Sequence, residues 1–304
     1  MTSTAWPSLD PRMDRERVVR IAYLVAKLGY FWVADAGFMF FQRPNTARFY
    51  VASLAKRGIL EPFPRRHPSD PHAYRISERG LEWLVDEIGC NRNELWRPSS
   101  TRRLNIPAVR VMNRFWCSLA SAAGEHPQVR LHRFIPERQL RRMKLPSCSV
   151  VPDAMAVMRL GAAAGATKLA AVAVEQDSGY ERLKVWSEKI CGYLAAKRFS
   201  TFYGHRSRDV VLLAIVPSRR RAVNVARTVA MAGGGRFAYL GLAAELEGGH
   251  ALDPVLWSAA TLAGDSSATA GLSLVFALEA LVGTTSAKPI RPDGDLSLLS
   301  PEIP

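Results

Sequence analysis

The sequence VVPDAMAVMRL, residues 150–160, decides the expected fold of the second half of the chain. Asp153 opens an apolar run within it, and a second apolar run at residues 169–174 ends in the acidic residues Glu175 and Asp177. Apolar runs of this length are typical of buried strands, and a run that is apolar throughout is typical of a strand covered on both faces. The pattern therefore predicts two strands with three carboxylates at their ends.

The segments on either side of these strands predict a mixed sheet with helices on its faces. In chain order they are a helix, three strands, a helix, a strand, a helix and a strand, at residues 104–122, 129–135, 150–160, 169–175, 181–198, 210–216, 219–230 and 237–242. This order is typical of a mixed α/β domain. Lys189 lies at the edge of the apolar face of the helix after Asp177, because successive helical residues turn by about 100°. The sequence thus places a lysine beside the carboxylates.

The chain is strongly basic, with a net charge of +14 over 304 residues and a pI of about 10.1. Such an excess favours a polyanionic partner, either nucleic acid or an anionic membrane surface, and the clustering of the arginines favours nucleic acid. No apolar run reaches the length of a membrane span, no signal peptide is recognisable, and the four cysteines lack the spacing of a zinc knuckle. We therefore expect a cytoplasmic protein that binds nucleic acid and no membrane.

Residues 13–90 show a compact order of short elements. Three helical segments come first, then two short strands separated by the basic, proline-rich segment 62–71, then a last helix at 78–88. This is the order of a winged helix-turn-helix domain, and the phrases LAKRGIL at 54–60 and YRISERG at 74–80 resemble that family. The resemblance implies that the third helix enters the major groove of DNA and that the segment between the strands lies along the backbone.

Side chains of these two segments are the expected DNA contacts, because arginine and asparagine present planar hydrogen-bonding groups to bases and phosphates. By this resemblance, the side chains expected to face DNA are those of Arg43, Asn45, Thr46, Arg48 and Tyr50. The side chains expected to contact phosphates are those of Arg57, Arg65 and Arg66. Phe49, Val51 and Leu54 are expected in the core of the domain. The alternative is a winged helix that binds protein and whose arginines form a solvated face.

Composition divides the chain into five parts. We expect a flexible N-terminus at 1–12, the winged helix-turn-helix domain at 13–90, a linker at 91–103, the α/β domain at 104–258, and a terminal helix with a flexible tail at 259–304. The linker is indicated by asparagine, proline and serine residues with basic ends.

The order of elements in the α/β domain is similar to that of the restriction-endonuclease-like superfamily, named for its PD-(D/E)XK signature. In that superfamily, carboxylates at adjacent strand ends share a Mg²⁺ ion, and a lysine assists hydrolysis of the phosphodiester. The resemblance implies that Asp153, Glu175 and Asp177 hold Mg²⁺. Asp177 stands where the superfamily carries lysine, so Lys189 is the expected substitute and the fourth catalytic residue.

A closer resemblance rests on the phrase EQDSG at 175–179, followed by Lys189 and Tyr193 and preceded by Asp153 and the winged helix. These motifs resemble the replication-relaxation family of plasmids and other mobile elements, in which Glu-x-Asp and a later lysine and tyrosine are the ordinary pattern. The resemblance covers residues 14–245. It implies a DNA-binding protein that acts in replication, relaxation or conjugative transfer of such DNA.

The sequence leaves three hypotheses about the function open. In the first, the protein hydrolyses phosphodiesters with Mg²⁺. In the second, it is a transcription regulator whose nuclease-like domain is inactive and serves dimerisation or partner binding, and in the third it is an accessory subunit that binds DNA and a relaxase. Acids at strand ends also cap turns, so their presence alone does not distinguish an active from an inactive site. The expected partners are double-stranded DNA, a relaxase or replication protein, and a second copy of the chain.

Overall fold

The computed structural model describes residues 13–282, apart from 42, 64–71, 99–105, 144–149, 162–166, 198–200, 204, 207–209, 248–250, 254 and 269–270. The predicted phosphate contacts Arg65 and Arg66 lie outside the described residues, as do the predicted flexible segments 1–12 and 283–304. The described residues form two compact units, one up to Val109 and one from Arg110 onward.

The first unit consists of four helices and a three-stranded sheet. Its elements are α1 (Arg15–Leu28), β1 (Phe31–Trp32), α2 (Val33–Phe40), α3 (Pro44–Lys56), β2 (Leu60–Pro62), β3 (Ala73–Ile76) and α4 (Glu78–Ile88). The strands are antiparallel in the order β1-β3-β2. The order of three helices, two paired strands and a helix agrees with the sequence prediction. The sequence pattern did not predict β1, because Phe31 and Trp32 are equally compatible with the start of the following helix.

Local caps set the ends of the helices in this unit. The side chain of Asp14 accepts hydrogen bonds from the N–H groups at the start of α1, and Gly29, with φ of 82°, ends that helix. Ser77 caps α4 by accepting from the N–H of Gly80, and its hydroxyl donates to the carbonyl oxygen of Gly58 at 2.5 Å. Ser77 therefore fixes both the start of α4 and the turn that follows α3.

The core of the first unit partly matches the prediction. Val51 and Leu54 are fully buried, as expected. The prediction was wrong for Phe49, whose side chain is 36% exposed because it lies on the outer face of α3. Residues 91–98, expected to be a linker, belong to this unit, since the N–H of Trp96 donates to the carbonyl oxygen of Ala26 at 2.7 Å.

The second unit is built on one mixed sheet. Its elements are α5 (Ile106–Glu125), β4 (Val129–Pro136), α6 (Glu137–Arg142), β5 (Ala154–Gly161), β6 (Thr167–Gln176), α7 (Leu183–Ala196), β7 (Thr201–Phe202), β8 (His205–Arg206), β9 (Val210–Val216), α8 (Arg219–Met231), β10 (Ala238–Leu242), α9 (Ala243–Leu246), β11 (Trp257–Ser258), α10 (Ala259–Gly264) and α11 (Leu274–Val282). The six-stranded sheet has the order β11-β10-β9-β6-β5-β4, and β7 pairs with β8. The predicted mixed α/β fold class is confirmed.

The centre of this sheet is parallel and its sides are antiparallel. β6, β9 and β10 run parallel to one another, whereas β5 and β4 are antiparallel additions on one side. All seven residues of β9 are buried, as expected for a strand covered on both faces. α7, α8 and α10 contribute to the same hydrophobic core as alternate residues of β6 and β9. α11 also packs against β6 and β9, so this described part of 259–304 belongs to the unit.

The outer strand β4 is irregular. Its pairing with β5 shifts between Leu131 and Arg133, which leaves His132 in a bulge. Arg130 lies opposite Arg159 of β5 in this register. Among the described residues, no helix combines the length and the apolar character that crossing a membrane requires.

Gly80 generates a prediction for the first unit. A Cβ atom added to Gly80 would overlap the backbone carbonyl oxygen of Ile59, which cannot rotate away, whereas a Cβ at Gly37 in α2 would meet its nearest atom at 3.8 Å. Gly80→Ala should therefore lower the free energy of unfolding by roughly 1–3 kcal/mol or more. Gly37→Ala should leave it unchanged or raise it by up to about 1 kcal/mol. Urea denaturation of both variants checks this, and equal stabilities would contradict the close packing of α4.

Candidate functional site

Asp153 and Glu175 meet at the same end of the paired strands β5 and β6. Asp153 directly precedes β5, and Glu175 lies near the end of β6, where Ala154 pairs with Val174. The carboxylate Oδ2 of Asp153 accepts the N–H of Gln176 at 2.8 Å. The antiparallel register of β5 and β6 therefore brings the start of one strand and the end of the other together, as the sequence pattern predicted.

Helix α7 supplies a lysine to these carboxylates. Lys189 Nζ lies 2.9 Å from Oε2 of Glu175 and 3.1 Å from Oε1 of Glu181. Lys184, on the same helix, instead pairs at 3.8 Å with Glu188 on the exposed face. We call Asp153, Glu175, Glu181 and Lys189 the acid–lysine cluster. Lys189 thus reaches Glu175 although it lies two turns along the helix.

Glu175 is the most deeply buried member of the cluster, with 1% of its surface exposed. Its Oε1 accepts the hydroxyl proton of Tyr193 at 2.7 Å, while Oε2 faces Lys189. Burial raises the pKa of Glu175 to about 7, and the negative charge of Asp153 acts in the same direction. Burial also raises the pKa of Asp153, although the hydrogen bond from Gln176 opposes the shift. The two carboxylates therefore hold protons more tightly than free acids do.

The partners of Glu175 respond to the negative charge around them. Burial lowers the pKa of Lys189, but attraction by Glu175, Asp153 and Glu181 outweighs this effect and leaves the pKa raised. Burial and the proximity of Glu175 raise the pKa of the fully buried Tyr193 hydroxyl well above its ordinary value. Lys189 therefore remains a cation and Tyr193 remains a hydrogen-bond donor at neutral pH. A neutral, buried tyrosine of this kind positions Glu175 and is not poised as a nucleophile.

Asp177 lies in a different environment from the other two predicted acids. Its Oδ2 accepts from Nε of Arg221 at 2.7 Å and from Nε1 of Trp186 at 2.8 Å, and its Oδ1 accepts the N–H of Gly179 at 2.5 Å. The carboxylate side chain is completely buried. Asp177 thus accepts three hydrogen bonds, one of them within its ion pair with Arg221, and these contacts join the end of β6 to α7 and α8. The structure therefore places the carboxylate of Asp177 in a structural network, whereas the sequence predicted it as a catalytic residue and a metal ligand.

The described residues contain no group of three or more histidine, cysteine, aspartate or glutamate side chains arranged to hold a metal ion. The predicted set of Asp153, Glu175 and Asp177 therefore does not converge on one ion. Asp153 and Glu175 alone remain suitable, because Mg²⁺ is commonly held by one or two carboxylates together with waters and substrate phosphates. Among the described residues, Oδ1 of Asp153 accepts no hydrogen bond and is available to such an ion.

Two residues of this region were missed or misread in the sequence. Glu181 follows a turn and carries no motif, yet it contacts Lys189 because the turn brings it back over α7. Arg221 belongs to the basic run RRR at 219–221, a pattern that is usually solvent-exposed. Its side chain is 15% exposed and pairs inward with Asp177. No signal in the sequence distinguishes Arg221 from its neighbours except its helical phase.

The predicted DNA contacts of the first unit divide into exposed and buried side chains. Arg43, Asn45 and Arg48 are exposed at the start of α3, and Thr46 is half-buried beside them. Tyr50 is 5% exposed, and its hydroxyl accepts the N–H of Asp14 at 2.9 Å. Tyr50 therefore lies on the core face of α3, apart from the exposed side chains that were predicted with it to face DNA. Arg57, at the end of this helix, is half-buried, and its Nε is enclosed.

A comparison with protein-family models shows what the chain is related to. The model described as Replication-relaxation matches residues 27–206, more than half of the chain. The chain belongs to the replication-relaxation family. The match to this family includes α3 and all four residues of the acid–lysine cluster. Membership of the family points to a role in the replication or relaxation of plasmid or mobile-element DNA. Neither a curated protein nor a solved structure gives a significant match.

The Arg221–Asp177 ion pair yields the second prediction. Arg221→Ala leaves the fully buried carboxylate of Asp177 without its counter-charge. The change should lower the free energy of unfolding by roughly 3–5 kcal/mol. Lys184→Ala, which removes an exposed partner on α7, should change it by less than about 0.5 kcal/mol. Chemical denaturation measures both, and a neutral Arg221→Ala would show that Asp177 does not depend on this contact.

The third prediction concerns pH. The pKa of Glu175 in the folded chain is about 7 and its ordinary value is 4.5, so the folded state binds this proton more tightly than the unfolded state. Protonation of Glu175 therefore stabilises the folded state, and this contribution is complete below about pH 4.5. It is lost as the pH rises through about 7, which lowers the free energy of unfolding by on the order of 3 kcal/mol. Glu175→Gln should remove this part of the pH dependence.

The measurement compares unfolding free energies at several pH values from about 4 to 8, which bracket the unfolded and folded pKa values of Glu175. The stability of the wild type relative to Glu175→Gln should decline over this interval. Glu188→Gln, the matched change at an exposed carboxylate of α7, should keep the wild-type slope. A wild type and a Glu175→Gln variant with parallel profiles would contradict the raised pKa.

Proposed function

We propose that this protein binds double-stranded DNA through its first unit and hydrolyses phosphodiester bonds of plasmid or mobile-element DNA at the acid–lysine cluster. The proposal rests on the position of Lys189. Its amine lies 2.9 Å from the carboxylate of Glu175, which the pairing of β5 with β6 brings close to Asp153. Two carboxylates at adjoining strand ends, with one lysine on the following helix, are groups suited to metal-dependent phosphodiester hydrolysis.

Each residue of the cluster has a distinct role in this proposal. Asp153 and Glu175 would hold Mg²⁺, which when bound lowers the pKa of a coordinated water and neutralises charge on the phosphate. Lys189 donates to an oxygen of the scissile phosphate and stabilises the negative charge that grows there. Glu181 and Glu175 hold the amine of Lys189 from two sides, so that it is already oriented when DNA arrives. Tyr193 keeps Glu175 in position.

The first unit provides the affinity for duplex DNA in this proposal. Arg43, Asn45 and Arg48 form an exposed group at the start of α3. No side chain caps this end of α3, and Pro44 occupies its first turn. Together with the net charge of +14, these features suit a helix that approaches the phosphate backbone. The order of elements supports a winged helix-turn-helix.

A regulator without catalysis is the second candidate, and one observation favours it. The ammonium group of Lys189 is already bound between Glu175 and Glu181, so an internal cation neutralises part of the acidic site. In that case the second unit would serve dimerisation or partner binding, and the protein would bind DNA without cutting it. A relaxase or replication protein is the partner that we propose for this case.

The fourth prediction separates these two functions. Wild-type protein incubated with supercoiled plasmid and Mg²⁺ or Mn²⁺ should convert it to nicked or linear DNA. Asp153→Asn and Glu175→Gln should reduce this rate more than about 100-fold, since each removes a metal ligand. Glu188→Gln, at an exposed carboxylate of the same helix, should cut at the wild-type rate. Plasmid that stays intact with every metal, while binding persists, would establish the regulator instead.

The fifth prediction concerns the first unit. Arg48→Ala should weaken binding to duplex DNA by roughly 1–3 kcal/mol and reduce the salt dependence of binding by about one counterion. Arg79→Ala removes the same charge from α4, outside the exposed group on α3, and should bind like the wild type. Fluorescence anisotropy at several salt concentrations measures both variants. Equal losses for the two variants would indicate that net charge, and not the α3 face, determines affinity.

A further inference from the structure

Tyr180 stands out beside the acid–lysine cluster because its side chain is 95% exposed. It lies in the turn between β6 and α7, immediately before the cluster residue Glu181. Single exposed apolar side chains are common on protein surfaces and need no explanation by themselves. Tyr180 differs from such residues in how firmly its backbone is held and in what surrounds it.

The turn that carries Tyr180 is anchored on both sides. Before it, the N–H of Gly179 donates to Oδ1 of Asp177 at 2.5 Å, and Gly179 adopts φ of 85°, a conformation that favours glycine. After it, Nη2 of Arg221 donates to the backbone carbonyl of Glu181. The same Arg221 side chain pairs with Asp177, so one guanidinium group fixes both ends of the turn. The ring of Tyr180 is therefore exposed to solvent on a backbone that is already ordered, so binding through this ring would cost little further conformational entropy.

The surroundings of Tyr180 combine an aromatic ring with positive charge. Arg182 and Lys184, at the start of α7, are exposed, and so is Arg220, which adjoins the anchoring residue Arg221 on α8. Exposed aromatic rings among basic side chains are the elements with which proteins bind single-stranded nucleic acid, because the ring stacks on a base while the cations contact phosphates. A paired base inside a duplex offers no free face for such stacking.

We propose that Tyr180 stacks on an unpaired base of a DNA strand whose backbone reaches the acid–lysine cluster. The inference rests on the proposed function and specifies its substrate: DNA with a single-stranded segment at the site of reaction, in addition to the duplex bound by the first unit. Arg182, Lys184 and Arg220 contact the phosphates on either side of the stacked base. Because Glu181 adjoins Tyr180 and contacts Lys189, the stacked nucleotide lies next to the amine proposed to donate to the phosphate.

The test measures binding of the full chain to a fluorescein-labelled single strand of about 20 nucleotides and to the same sequence as a duplex, with a chelator present to prevent hydrolysis. Tyr180→Ala should raise the Kd for the single strand about tenfold and the Kd for the duplex by less than about twofold. Tyr180→Phe keeps the ring and should bind the single strand within about twofold of the wild type. Met231→Ala removes an equally exposed side chain of the same unit and should have no effect.

Three outcomes overturn the inference: wild-type protein that does not bind the single strand, a Tyr180→Ala variant that binds it normally, and a variant that loses single strand and duplex equally. The duplex arm keeps these results separate from the proposed function. Duplex binding that depends on Arg48 but not on Tyr180 supports the first unit as the duplex reader, whatever happens with the single strand. Wild-type protein that binds neither DNA contradicts the proposed function itself.

Discussion

The buried ion pair between Arg221 and Asp177 is the contact on which the site of the second unit depends. It joins α8 to the end of β6, and the same carboxylate holds Trp186 of α7. Two charges that leave water together are tolerated only when their remaining hydrogen-bonding groups are satisfied, and here the carboxylate accepts three hydrogen bonds. The helix that carries Lys189 is thereby fixed relative to the strand that carries Glu175.

A second constraint acts on the acid–lysine cluster itself. Glu175 is almost completely buried, and among the described residues Lys189 alone balances its charge together with those of Asp153 and Glu181. Burial disfavours the charged form of Glu175, and the negative charge of Asp153 adds to this effect, so the pKa of Glu175 rises to about 7. A site that holds unbalanced carboxylates sacrifices stability, and such a cost is typical of residues kept for chemistry or for binding a cation.

The sequence predicted those features that depend on local pattern. The buried strand β9, the helix α4 and the strands next to Asp153 and Glu175 all follow from the spacing of apolar residues bounded by polar ones. Arg221 reaches Asp177 across 44 residues of sequence, and no local rule gives such a pairing. The burial of Tyr50 was not predicted for a related reason, because about half a helical turn separates the core face of α3 from its outer face and the pattern does not fix the helical phase that closely.

The bulge in β4 has a consequence for self-association. A strand at the end of a sheet presents unpaired N–H and C=O groups along its free side, and these can recruit a strand of another molecule. In β4, the bulge at His132 interrupts the regular spacing of these groups, and the exposed side chain of Arg133 adds positive charge. Two copies brought together edge to edge would repel each other and find no matching ladder. A homodimer of this chain would have to form through a surface other than the β4 edge of its sheet.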